Sequence, residues 1–306
     1  MGRPSGGNDH PGRPDTPVLA NPRSDRVKAV RRLSGRSARL REGRFLAEGP
    51  QAVREAVRAH AEALAAGRPG VVHTLYATTA AAARYEEITG RAGAAGLPVH
   101  PVTDEVLAAM ADTVTPQGLL AVCGTVTVPL EVALAGPPRL VAVLSEVRDP
   151  GNAGTVIRAA DAAGADAVVL TDASVDVHNP KCVRATAGSL FHLPVVAGEP
   201  LPRVAAALRG AGLRVFAADG AGDLDLDDLL DDAGRDATGG GLAGPVAWVF
   251  GNEARGLTAG AHALVDGVVR VPVHGRAESL NLATAATVCL YAAARAQRRG
   301  PGRRTR

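Results

Sequence analysis

Three short segments carry residues whose types and spacing could do chemistry. The first is Asp149-Pro150-Gly151-Asn152-Ala153-Gly154-Thr155-Val156-Ile157-Arg158, just after the apolar run Leu140–Leu144. Its glycines would let a ligand approach backbone N–H groups, and its arginine would meet an anion. It lacks the lysine of a phosphate-binding loop and does not read G-x-G-x-x-G. If the following helix spans residues 155–163, ended by Gly164, then Arg158 falls in its first turn. A cation there opposes the helix macrodipole at a cost of about 0.3–1 kcal/mol, which points to function. An ion pair with Asp161 is the structural alternative.

The second segment, Phe250-Gly251-Asn252-Glu253-Ala254-Arg255-Gly256-Leu257, follows the apolar run Val246–Phe250. Gly251 and Gly256 permit tight turns, and Glu253 sets a carboxylate at a sheet end. A glycine-bounded turn with an exposed Glu has the same pattern. The third segment runs from Val271 to Ala286 and contains His274-Gly275-Arg276-Ala277-Glu278-Ser279-Leu280-Asn281 before a long Ala-rich stretch. N-capping explains one small polar residue ahead of a helix, but not both Ser279 and Asn281 around a leucine.

The elements that must position these segments alternate between strand and helix. Residues 1–22 read as a disordered leader and 23–128 as a small α/β/α domain. In the latter, a basic helix over 23–33 leads to Phe45-Leu46-Ala47, then a helix over 50–66 and strands at 71–76, 99–102 and 119–122. Gly136-Pro137-Pro138 breaks both periods, so 129–138 reads as a linker. Residues 139–297 give βαβ units with apolar strands at 140–144, 167–170, 213–216, 246–250 and 268–271, and a final helix over 282–297. That pattern predicts an open parallel sheet with its ligand beyond the strands' C-terminal ends. Residues 298–306 read as a basic tail.

Composition bounds the function. The 306 residues are 46% apolar with net charge +3, which excludes whole-length disorder, and no stretch approaches the roughly 18 apolar residues of a membrane span. The N-terminal residues lack a signal-peptide core, so a cytoplasmic location is expected. Three scattered cysteines, Cys123, Cys182 and Cys289, fit neither a zinc site nor a disulfide scaffold. The charge is uneven: Arg23, Arg26, Lys28, Arg31, Arg32 and Arg36 crowd one end, and Asp223, Asp225, Asp227, Asp228, Asp231 and Asp232 form an acidic run. The basic cluster reads either as a polyanion footprint or as the solvated face of a first helix.

Taken together and in order, N-x-G-x-x-x-R (Asn152, Gly154, Arg158), F-G-N-E-x-x-G-L (250–257) and S-L-N-x-A-x-A (279–285) resemble the three motifs of the SpoU (TrmH) family. These are S-adenosylmethionine-dependent RNA ribose 2′-O-methyltransferases of the SPOUT superfamily. The domain containing Phe45-Leu46-Ala47-Glu48-Gly49 is similar to the L30e-like substrate-binding domain of rRNA-directed members. The resemblance implies an α/β fold with a trefoil knot in the C-terminal SPOUT sheet, an exception to unknotted topology. It further implies a homodimer and a cofactor enclosed by Gly251, Val271 and Leu280, with Leu257 and Asn281 in contact.

By the same resemblance, Arg158 would bind phosphate and stabilise a developing alkoxide, since a guanidinium is not readily deprotonated. Asn152, Glu253, Ser279 and Asn281 would orient Arg158, the ribose and the cofactor, and the transfer needs no metal. The basic residues Arg23, Arg26, Lys28, Arg31, Arg32 and Arg36, with Arg158, are the expected RNA contacts. Aromatic residues are 3% of the chain, so recognition by shape and phosphate contact is expected over base stacking. The acidic Gly-rich stretch 219–244 reads as an inserted surface loop. The expected substrate is large-subunit (23S) rRNA. The alternatives are tRNA as the substrate, or a non-catalytic RNA-binding assembly factor, which would not need Arg158, Glu253 and Ser279-Leu280-Asn281 together. A nicotinamide oxidoreductase is disfavoured by the absence of its glycine fingerprint.

Overall fold

The computed structural model describes residues 17–235 and 241–299. In the N-terminal domain, α1 (Asp25–Arg32), α2 (Arg36–Glu42), β1 (Arg44–Glu48), α3 (Gly49–Ala65) and β2 (Val72–Thr78) are followed by α4 (Thr79–Arg84), α5 (Glu86–Ala94), β3 (Val99–Val102), α6 (Asp104–Met110) and β4 (Leu119–Gly124). The strands form one sheet in the order β1-β4-β2-β3, with β2 and β3 parallel and the other pairs antiparallel. Alternation along the strands serves both faces. Phe45, Ala47 and Leu75 join Val53, Val57 and Ile88 on one side, while Leu46 and Tyr76 join Val27 and Val106 on the other. This is the expected three-layer domain.

The C-terminal domain comprises α7 (Leu130–Ala133), β5 (Leu140–Leu144), α8 (Pro150–Ala163), β6 (Ala167–Thr171), α9 (Pro180–Thr186), β7 (Val195–Glu199) and α10 (Leu201–Gly210). Then come β8 (Arg214–Ala218), β9 (Leu224–Asp225), α11 (Leu226–Arg235), β10 (Val246–Phe250), α12 (Ala259–His262), β11 (Gly267–Arg270) and α13 (Leu282–Arg299). Seven strands pair in the order β7-β6-β5-β10-β8-β11-β9, every pair parallel. Strands β5, β6 and β10 are buried along their whole length, as unbroken Val, Leu and Ala runs require when helices cover both faces.

Several expectations are corrected. Leu19, assigned above to a disordered leader, bridges Val102, its N–H bonded to Pro101 O at 2.8 Å. Residues 1–16 lie outside the described part. The linker contains α7, whose Leu130 and Ala133 are buried against the sheet. The acidic stretch is not a loose loop where it is described: β9 adds an edge strand and Leu226 of α11 is buried. Arg298 and Arg299 continue α13 rather than starting a tail, while 300–306 are not described. Finally, α8 starts at Pro150 with Asp149 as its cap, so the segment read as a loop is itself helix. Arg158 therefore stands two turns in, and the macrodipole argument for it fails. Gly154 likewise serves packing: a Cβ there would lie 2.4 Å from the Cys182 carbonyl oxygen on α9.

One apolar core runs through both domains, joining Phe45 and Val53 to Val177, Cys182 and Leu190. Polar bridges cross the same seam. Arg39, close in sequence to the exposed cations of α1 and α2, is buried, donating to Asp176 at 2.7 and 2.9 Å and to the carbonyls of Leu33 and Ser34. All three thiols are free and buried, and burial pushes Cys182 and Cys289 up to about 12. His178 packs against Phe45, with ring centroids 4.6 Å apart and the planes tilted by 37°, and accepts the Val126 N–H. Burial, opposed by Asp176 and aided by Arg39, pushes its imidazole down to about 4. An unfolded histidine titrates near about 6.5, so below that pH the unfolded chain takes up a proton that the folded chain refuses until about 4. Stability should therefore fall by about 3 kcal/mol across that window. Urea unfolding over a pH series should show this decline, and His178→Gln should flatten it.

Candidate active site

The cap of α8 begins the site. Asp149 Oδ1 accepts the Asn152 N–H at 2.8 Å, and Asp149 Oδ2 takes Lys181 Nζ at 2.8 Å. The Lys181 ammonium, followed by the capped Asn152 N–H, holds the Asp149 carboxyl below the usual range. At the start of α13, Asn281 Oδ1 caps the helix by accepting the N–H groups of Ala283 and Thr284. Its amide nitrogen is left to donate, and it does so to Asn152 Oδ1 at 3.2 Å. Asn152 then has only its own amide nitrogen to offer, and this donates to Glu253 Oε1 at 3.2 Å. The polarity of the chain is thus fixed at both ends. It runs from the amides of α13 to the Glu253 carboxylate, which also accepts the N–H groups of Arg148 and Asp149 at 3.2 and 3.1 Å. Burial raises the Glu253 pKa, but these donors together with its own N–H outweigh that and hold the carboxyl below its ordinary value.

Between β10 and α12, the backbone closes a tight turn in which Asn252 N–H meets Gly256 O at 3.1 Å and Gly256 N–H meets Asn252 O at 2.8 Å. Asn252 Oδ1 accepts the N–H groups of Ala254 and Arg255, and its Nδ2 donates to the Glu146 carbonyl at 2.8 Å. Glycine is required at two points. Gly256 has φ +64°, and a Cβ on Gly251 would sit 2.6 Å from the Gly256 carbonyl carbon. This turn forms one wall of a cavity of about 600 Å³ beyond the C-terminal ends of β8, β10 and β11. Val271, Pro272, Ser279 and Leu280 form the opposite wall, with Asp219 and Gly220 at one end.

Of the expected residues, Gly251, Glu253, Val271, Ser279 and Leu280 line the cavity. Asn152 and Asn281 stand beside it, tied in through Glu253. Leu257 instead lines an adjoining cavity of about 320 Å³ with Ser145, Glu146 and Asp172. Arg158 is exposed, outside the cavity and without a partner among the described residues. Asp161, its suggested partner, pairs with His192 at 2.7 Å. Arg23, Arg26, Lys28, Arg31, Arg32 and Arg36 are exposed on or beside α1 and α2, with Arg31 donating to the Ala111 carbonyl. The sequence reading missed Asn252 and Lys181, whose roles come from partners remote in the chain. It also missed Asp219, hidden in the stretch read as an insertion.

With this geometry in view, comparison with known proteins is decisive. Residues 139–291 match the SpoU rRNA Methylase family, and residues 24–121 match the MRM3-like substrate binding domain. The chain belongs to the SpoU rRNA methylase family. The Bacillus subtilis 23S rRNA guanosine 2′-O-methyltransferase RlmP is 30% identical over 273 residues, covering 89% of this chain and 97% of RlmP. An AdoMet-bound rRNA methyltransferase from Sinorhizobium meliloti superposes with a TM-score of 0.74 at 29% identity, covering 91% of this chain and 97% of that one. The SpoU methyltransferase AviRb from Streptomyces viridochromogenes gives 0.70 at 28% identity, covering 90% and 98%.

In this SpoU chain, the Glu253 carboxylate is exposed to solvent on one side and accepts from Arg148, Asp149 and Asn152 on the other. Glu253→Gln replaces one acceptor oxygen by a donor facing donors, which should cost about 1 kcal/mol. The wild-type contribution should be full above the unfolded carboxyl pKa and lost as pH falls through the lower folded value. Thermal unfolding of both proteins at neutral and at acidic pH checks this, with the gap closing in acid.

Proposed function

We propose that this SpoU-family protein transfers the methyl group of S-adenosylmethionine to a ribose 2′-OH of large-subunit ribosomal RNA, working as a cytoplasmic homodimer. The observation that carries the reading is that the second and third motifs line one cavity, to which the first is joined by the hydrogen-bonded chain of Asn281, Asn152 and Glu253. The cavity suits the cofactor. Gly251 lets the turn pack closely enough to form one wall, aliphatic surface comes from Val271, Leu280 and Leu282, and polar groups come from Asp219 and Ser279. Gly251, Val271 and Leu280 would hold it, and when bound it supplies an electrophilic methyl group on sulfur. A trefoil knot belongs to the same proposal, supported by the way residues 250–257 and 271–282 line one cavity.

The chain's own part is to bind, orient and stabilise charge. Arg158 is always protonated, so it does not take the 2′-OH proton. It binds the neighbouring phosphate and stabilises the developing alkoxide, and the proton leaves to a phosphate oxygen or water. Arg158 does not line its own subunit's cavity, which supports a site completed across two subunits. Val288 and Tyr291 lie exposed at helical spacing on α13, which packs on α8, and they offer an apolar stripe for a second copy. The exposed cations of α1 and α2 supply the sequence-independent grip on RNA. A large-subunit target is favoured by the substrate-binding domain and by the relative RlmP, a 23S rRNA enzyme.

Labelled methyl transfer to separate pools of unmodified large-subunit rRNA, small-subunit rRNA and tRNA should yield a 2′-O-methyl nucleoside from the first pool alone. Arg158→Ala should lose transfer by at least about 100-fold with folding and RNA binding kept. In a mixture with Gly251→Val, which displaces the turn that walls the cavity, about a quarter of the activity should return provided that this variant still folds and dimerises, because each mixed dimer keeps one intact shared site. No recovery would place Arg158 and the cavity in the same subunit.

A further inference from the structure

The structure assigns helix α9 a role as a strut: Lys181 and Arg184 are positioning residues that fix the catalytic Asn152 relative to the substrate-binding domain. This rests on the proposed methyl transfer to RNA. The two residues lie three positions apart, on one side of the same helix. Arg184 Nη1 donates to Glu48 Oε2 at 3.1 Å, and its Nη2 lies 3.2 Å from Asp112 Oδ2. Glu48 is buried, and its two oxygens also accept the N–H groups of Asp112 and Thr113 at 2.9 and 3.1 Å, so one end of α9 is keyed into the N-terminal domain. At the other end Lys181 grips Asp149, the residue that caps α8 and accepts the Asn152 N–H. Between the two grips, Gly154 lets the backbones of α8 and α9 meet directly. Polar contacts at two points of α9, joined by the helix itself, therefore connect residues 112–113 to the hydrogen-bonded chain at the cavity.

Such a link has a chemical use. RNA gripped by one domain must present its ribose to the other within a fraction of an ångström, and a misplacement of about 1 Å can cost 100-fold in rate. A surface pair such as Lys181 and Asp149 adds little stability, so its effect should appear in turnover.

Methyl transfer to unmodified large-subunit rRNA tests this with Lys181→Met, Asp149→Asn, the double variant and Lys181→Arg, alongside separate measurements of RNA and S-adenosylmethionine affinity. Asparagine keeps the capping oxygen of Asp149 but not its charge. Each single variant should lower kcat about tenfold with both affinities within about twofold, the double should be no worse than either, and Lys181→Arg should recover most of the rate. Unchanged kcat in Lys181→Met would overturn the assignment. So would a loss carried by RNA affinity with the salt slope reduced by about one, which would make Lys181 a phosphate contact. A second arm needs no RNA: in Arg184→Met, amide exchange should quicken in the first turn of α8, which residue 184 does not cap. Acceleration confined to residues 112–113 would refute the strut. Wild type that transfers no methyl to rRNA, while the exchange arm succeeds, would strike the substrate assignment alone.

Discussion

The site depends on one carboxylate. Glu253 receives two backbone N–H groups at the head of α8 and the amide of Asn152, and through Asn152 it receives the amide of Asn281, the cap of α13. Two helix N-termini and the turn after β10 are thereby bound to a common acceptor. Each donor in the chain is used once and points one way, so rotating one member exchanges a link of the chain for water. The anion also suits its place, since α8 presents the positive end of its dipole toward it. The cavity wall formed by Gly251 and Gly256 keeps its shape because the residue between them is held in this way.

Around that centre the fold supplies rigidity rather than chemistry. A parallel sheet buried on both faces fixes where β8, β10 and β11 end, and the cavity opens at those ends. The substrate-binding domain is not tethered on a flexible linker. It shares an apolar core with the methyltransferase domain and is keyed to it by Arg39 with Asp176 and by Glu48 with Arg184. Binding energy gained on RNA far from the ribose can then be converted into orientation at the ribose, which a loose connection would dissipate.

Much of this was legible in the sequence where the signal is local. Unbroken apolar runs gave the strands, and Asn152, Glu253 and Ser279-Leu280-Asn281 marked the right loops. Local rules failed where a residue's role comes from a distant partner. Arg158 was singled out by a macrodipole argument that the true start of α8 removes, although its exposure leaves the residue free for RNA or a second subunit. Arg39 lies in a run of exposed cations, yet Asp176, 137 positions away, draws it into the seam. Asp149 and Lys181 meet across 32 residues, and no spacing rule reaches that far. The acidic stretch misled because its aspartates hide the apolar Leu226, Leu229 and Leu230 that pack α11 onto the domain.

The central claim is that the three motifs act as one hydrogen-bonded unit in shaping the cavity. Calorimetric titration of S-adenosylmethionine into the Asn152→Ala, Asn281→Ser and double variants tests it most directly, since serine keeps a capping oxygen for α13. A chain that fails as a whole predicts that each single variant weakens binding and that the double is scarcely weaker than either, a coupling of about 1 kcal/mol or more. Losses that simply add would contradict it, showing Asn152 and Asn281 to be independent neighbours of the cavity.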